Sequence, residues 1–150
     1  MHNALPKFDM ERYLPYRFTV LAAQLSAELA TQYKKDYGIS MPEWRVLLNV
    51  GYSASPSIRD IEKRVNLEKS KVSRAAAKLV AKGFITKETD ATDRRLLKLA
   101  LTDQGAELLV KLIPVATSFQ ERLNEVLGDK EEALQQALEL LSENLNDQTL

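Results

Sequence analysis

The stretch that decides the fold is SIRDIEKRVNLEKSKVSRAAAKLVAKGFITKETDATDRRLLKLAL, residues 57–101. Ile58, Ile61 and Val65 recur at steps of three and four, which predicts a short helix with one apolar side, and Ser57 stands where a hydroxyl can cap its first N–H groups. Asn66 follows at the reversal. Asparagine is one of the few residues besides glycine that tolerates a left-handed backbone, so a tight turn is expected there, with Leu67 filling the angle between two helices. From 68 to 82, Val72, Ala76, Leu79 and Val80 share one side at helical spacing, while Ser70, Arg74, Ala77, Lys78 and Ala81 share the other. Gly83 closes this second helix. Phe84, Ile85 and Thr86 open a strand, the polar run 89–95 makes a hairpin tip, and 96–101 returns. Helix, turn, helix and hairpin in that order make a winged helix-turn-helix.

Charge supports a polyanionic partner for this module. The 150-residue chain is neutral, with 21 basic and 21 acidic side chains. Residues 57–100, however, carry twelve Lys or Arg against six carboxylates, a surplus of +6 that the acidic flanks cancel. The outward face of the second helix is both basic and small, so its axis can approach a grooved partner closely while Lys and Arg reach phosphates and base edges. A solvated surface helix would show the same alanines and lysines, since both are good helix formers. At the hairpin tip, Asp90 and Asp93 are expected to organise the wing. Asp93 is expected to pair with Arg95, leaving Arg94 for a phosphate or the minor groove.

Other chemistry is poorly provided for. The chain has no cysteine and a single histidine, His2, so it offers neither a thiol switch nor a thiolate metal site, and no cofactor is expected. No Ser-His-Asp set or glycine-rich phosphate loop is present, which argues against an enzyme. No apolar run reaches the roughly 18 residues of a membrane span, and the charged first residues lack a signal-peptide core, so a cytoplasmic protein without membrane association is expected.

The flanks are helical. Phe18, Leu21, Leu25 and Leu29 mark an amphipathic helix over about residues 12–36, stopped by Gly38. Ser40 and Pro42 open a second, with Trp44, Leu47, Leu48 and Val50 inward, and Gly51, Ser53, Ser55 and Pro56 read as the loop after it. Thr102 caps a long helix through Leu108, Leu109, Leu112, Val115, Phe119, Leu123 and Val126, which Pro114 is expected to kink. Beyond Gly128, Leu134, Leu138, Leu141 and Leu145 define a last helix. These are more apolar stripes than one small domain needs. Pairing with a second copy would bury them; folding back on the same chain is the alternative.

The run NLEKSKVSRAAAKLVAKGFITKETDATDRRLLKLALTDQG, residues 66–105, resembles the core of the MarR family of winged helix-turn-helix transcriptional regulators. The resemblance rests on KSKVSR in the second helix, KGFI at the start of the wing, DATDRR at its tip and LTDQG beyond it, and extends more loosely to PEWRVLLNV at residues 42–50. Two departures stand out. Glu68 takes a helix-cap position where the family often has Ser or Thr, and Asn66 replaces a common glycine.

The resemblance implies a mainly α fold: a DNA-binding lobe over 40–101 with a two- or three-stranded wing, and a helical dimerisation lobe from 1–39 and 102–150. It implies a homodimer on an inverted-repeat operator in double-stranded DNA, acting as a repressor and released by a small aromatic or anionic effector. Ser70, Lys71, Ser73 and Arg74 are then the candidates for base edges, with Arg74 best suited to a guanine. Arg59, Lys63, Lys69, Lys78, Arg94 and Arg95 are candidates for phosphate or minor-groove contacts. Tyr16, Arg17, Trp44 and Arg45 are candidates for an effector site, although Trp44 also reads as core and the two arginines as ion-pair partners. A winged helix that meets an acidic protein instead of DNA is the competing function.

Overall fold

The computed structural model describes residues 4–65 and 67–146. After a short 3-10 turn at Met10–Arg12 come α1 (Leu14–Tyr37), α2 (Met41–Tyr52), α3 (Ile58–Val65), α4 (Lys69–Ala81), β1 (Ile85–Thr89), β2 (Leu97–Leu101), α5 (Asp103–Leu127) and α6 (Glu131–Asn146). The fold is mainly helical with a two-stranded antiparallel wing. The chain divides into two compact units, Met1–Val110 and Lys111–Leu150, and α5 spans the division.

The first unit is built around α2. Gly38 ends α1 at φ 65°, a conformation that costs glycine nothing, and its N–H returns to Lys34. Two residues later Ser40 and Glu43 form a reciprocal capping box that launches α2. The inward face of α2, with Trp44, Val46, Leu47 and Val50, is buried, chiefly beside α4 and β2, and Trp44 meets Tyr33 of α1 with ring centroids 4.8 Å apart. Burial pushes the Tyr33 hydroxyl up to about 12. Ile61 and Val65 of α3, the inner face of α4, and Ile85 and Leu99 of the wing complete the core.

The structure corrects two sequence expectations here. Gly51 lies within α2 rather than in the following loop, and a Cβ there would meet the end of the Leu109 side chain of α5. On α4 the buried line is Val72, Ala75, Ala76 and Leu79, whereas Val80 is 38% exposed. At about 100° per residue, Ala75 stands about 60° to one side of Val72 and Val80 about 80° to the other, at the edge of the contact arc. The turn at Asn66 lies outside the described residues; Leu67 beside it is half-buried.

Three devices seat the second half of this unit. Ser57 and Asp60 cap α3 reciprocally, each side chain accepting the other's backbone N–H at 3.1 and 2.9 Å. Those bonds hold the Asp60 carboxyl below the usual carboxylate range. The β1–β2 hairpin pairs Ile85 with Leu101 through Thr89 with Leu97, and a single bridge from Ser57 to Lys98 attaches it to the start of α3. Thr102 caps α5 by accepting the Gly105 N–H at 3.0 Å.

In the second unit α5 continues through Pro114 to Leu127, and a 3-10 turn at Gly128–Lys130 leads into α6. Leu134, Leu138, Leu140 and Leu145 of α6 are exposed, as are Leu14, Phe18 and Leu21 on α1 of the first unit. Among the described residues, no helix is long and apolar enough to cross a membrane.

Candidate nucleic-acid interface

The sequence KSKVSRAAAKLVA gives α4 two unlike faces. With Val72, Ala75, Ala76 and Leu79 buried, Lys69, Ser70, Lys71, Arg74, Ala77, Lys78 and Ala81 are exposed, and Ser73 is half-buried at the margin. Glu68 precedes the helix without a side-chain capping bond, its carbonyl oxygen accepting the Lys71 and Val72 N–H groups at 2.9 and 3.1 Å. Four exposed cations and two hydroxyls thus share a ridge with small side chains along it.

The wing extends the basic surface. Asp90 organises the tip: one carboxylate oxygen accepts the N–H of Thr92 at 2.7 Å, the Thr92 hydroxyl at 2.6 Å and the N–H of Asp93 at 3.1 Å, and the other faces the Lys98 ammonium at 3.5 Å. These bonds hold its carboxyl far below the usual range. Asp93 accepts from the Arg95 guanidinium at 3.1 and 3.2 Å and from the Arg95 N–H at 3.1 Å, which also lowers its carboxyl. Arg94 is exposed and makes no ion pair among the described residues.

Between α3, α4 and the wing lies a shallow cavity of about 220 Å³ lined by Arg59, Lys69, Ser73 and Arg95, with Glu62 as its acid. The structure therefore brings together cationic candidates from three separate elements. Lys63 is exposed on α3 and Lys78 on the outer face of α4, both outside that cavity lining.

A MarR family model matches residues 37–96, which takes in α2, α3, α4 and the hairpin tip. The transcriptional regulator SarZ of Staphylococcus saprophyticus is 27% identical over 125 residues, 83% of each chain. A MarR/EmrR family transcriptional regulator from Acinetobacter sp. ADP1 superposes with a TM-score of 0.75 at 29% identity, covering 95% of this chain and 98% of that one. These matches support a MarR-type winged-helix regulator. The fold is shared by another MarR family regulator, Sco3205 of Streptomyces coelicolor, solved in complex with DNA, with a TM-score of 0.78 at 23% identity over 95% of this chain and 93% of that one.

The four effector candidates of this MarR-type chain do not assemble into one site within the chain. Trp44 is 6% exposed in the core against Tyr33. The Arg45 guanidinium donates to the Ser26 hydroxyl at 3.2 Å, tying α2 to α1. Ser26 lies nine residues beyond Arg17, about 14 Å along the helix at 1.5 Å per residue. Tyr16 and Arg17 are exposed near the start of α1. One pair of residues went unremarked in the sequence: Glu43, a buried carboxylate, and Lys82, which reaches it from the end of α4. Only the serine three residues before Glu43 hinted at a fixed role, as a helix cap.

Proposed function

We propose that this protein is a transcriptional regulator that binds double-stranded DNA as a homodimer and reads an inverted repeat. The observation that carries the reading is the division of α4 into a buried apolar line and an exposed ridge of Ser70, Lys71, Arg74 and Lys78 beside a cationic wing. Such a ridge suits a major groove, and its family setting makes DNA a better partner than an acidic protein surface. Ser70, Lys71, Ser73 and Arg74 would meet base edges. Arg59, Lys63, Lys69, Lys78 and Arg94 would hold phosphates, with Arg94 or Arg95 also able to enter the minor groove.

The exposed apolar side chains of α1 and α6 support a second copy as the partner of the 1–39 and 102–150 segments. Two-fold symmetry then places one α4 in each of two major grooves about 10 base pairs apart. A dimer seated there excludes other proteins from the same duplex, so repression is the regulatory outcome, with release by a small aromatic or anionic ligand. The test compares Arg74→Ala with Lys78→Ala on selected and random duplexes. Arg74→Ala is expected to lose preference for the selected sequence, and Lys78→Ala to weaken binding to all duplexes alike. Equal loss on every duplex for both variants overturns the assignment of α4 as the reading element.

A further inference from the structure

The C-terminal end of α4 is a junction of four helices. Lys82, its capping residue, sets its ammonium 2.7 Å from the Glu43 carboxylate and donates to the Gly38 carbonyl oxygen at 3.1 Å. Gly38 is the cap of α1 and Glu43 lies in the first turn of α2, so one side chain binds three helix ends. From the other flank the Thr102 hydroxyl donates to the Gly83 carbonyl oxygen at 2.6 Å, and the Thr102 N–H to that of Phe84 at 3.1 Å. The start of α5 is thereby joined to the same turn.

The chemistry of the pair distinguishes it from ordinary packing. The Glu43 side chain is 4% exposed, and its second oxygen already accepts the Ser40 hydroxyl at 2.9 Å, so it is fixed from α2 before Lys82 arrives. Apolar side chains of similar volume would fill the same corner with little loss of stability, and they would tolerate sliding. A fixed buried carboxylate with a second acceptor at Gly38 favours those placements of the α4 end that keep both within reach of the Lys82 ammonium, whose own side chain is 39% exposed.

We propose that Lys82 is a positioning residue: by fastening the end of α4 to the α1–α2 corner it fixes the angle at which that helix is presented, and with it the half-site separation the dimer accepts. This rests on the DNA-reading function proposed above. Each base pair added between half-sites rotates one against the other by about a tenth of a turn, so a rigidly presented pair of helices discriminates strongly between spacings.

The experiment uses the full chain and an inverted repeat selected by the wild-type protein from random duplexes. Binding is measured to that repeat, to versions with one base pair inserted or removed at the centre, and to one with a single half-site scrambled. The variants are Glu43→Gln with Lys82→Met, which leaves neither charge buried alone, and Lys82→Arg. The wild type and Lys82→Arg are expected to prefer the selected spacing by about tenfold or more. The double variant should fall below about threefold while binding the scrambled-half duplex as the wild type does. If the double variant does not fold, Glu43→Gln with Lys82→Gln carries the same comparison, removing both charges while keeping polar groups at both positions. An unchanged spacing preference overturns the proposal, as does uniform weakening on every duplex, which would make the pair merely structural. A wild-type protein that selects no sequence overturns the DNA-reading function itself, and this inference with it.

Discussion

Replacing Gly105 by alanine sets two effects of opposite sign against each other. Within a helix alanine is favoured over glycine by about 1 kcal/mol. At this position in the first turn of α5, however, a Cβ would overlap the Phe84 carbonyl oxygen and lie 3.0 Å from its carbon and 3.2 Å from Leu101 Cδ2. The oxygen cannot simply retreat, because it accepts the Thr102 N–H at 3.1 Å and the adjacent Gly83 carbonyl accepts the Thr102 hydroxyl at 2.6 Å. Relief requires α5 to lift from the end of α4, weakening two hydrogen bonds each worth about 1 kcal/mol net. Disturbed packing around Leu101 adds about 1–3 kcal/mol. After the helix-propensity gain, Gly105→Ala is expected to destabilise by about 2–4 kcal/mol. Urea denaturation at fixed protein concentration, followed by far-ultraviolet circular dichroism, measures this directly. Gly51→Ala serves as the control: there the new Cβ meets the end of the Leu109 side chain. Such a side chain can turn to another rotamer, so a loss within about 1 kcal/mol is expected. A Gly105→Ala protein as stable as the wild type would refute the seating of α5 on the Phe84 carbonyl.

Three further outcomes are expected. Arg94→Ala should leave the urea midpoint unchanged but make the dependence of duplex affinity on salt shallower by about 0.9 per protomer, as titrations from low to moderate salt would show. Ser57→Ala should cost about 1 kcal/mol, read from the same denaturation assay, because it removes the acceptor at the start of α3. The Asp60, Asp90 and Asp93 carboxyls are all lowered in the folded chain, chiefly by hydrogen bonds from Ser57, Thr92 and Arg95 respectively. The stability they lend is therefore complete above about pH 4 and lost as pH falls through the depressed values. Urea midpoints followed downward from neutral pH should drop in that range, and drop less for Asp90→Asn.

Elements whose ends are set locally were legible from the chain. Gly38, Ser40 with Pro42, Ser57 and Gly83 each stop or start a helix through their own backbone or side-chain chemistry, and the structure uses all four in that way. The Asp93–Arg95 pair was legible for the same reason, since two residues within one hairpin tip need nothing distant to meet. Features set by tertiary contact were not. Gly51 reads as a loop residue because glycine usually ends helices, and its close approach to Leu109 from inside α2 is visible only in the packed structure. Val80 reads as inward because hydrophobicity ranks valine so, whereas the direction from which α2 and α3 approach α4 covers Ala75 and leaves Val80 at the edge. Glu43 and Lys82 stand 39 residues apart, and no local pattern announces a bond between them. The phosphate candidates Arg59, Lys69 and Arg95 are scattered along the chain, and only the folded structure brings them to one cavity.

The wing has one strand flank with no neighbour. β2 is covered on one side by β1 and touched on the other at Ser57, but the outer rim of β1 pairs with nothing among the described residues, and Thr86 through Thr89 lie in solvent. Unsatisfied amides and carbonyls in such a row invite strands from other molecules. Here Lys87 and Glu88 occupy the middle of that row, one charge of each sign on opposite faces, so that a copy added in parallel register would set like charges opposite each other on both faces. The same arm that carries Arg94 outward can thus protrude from a crowded surface without seeding fibrous aggregates.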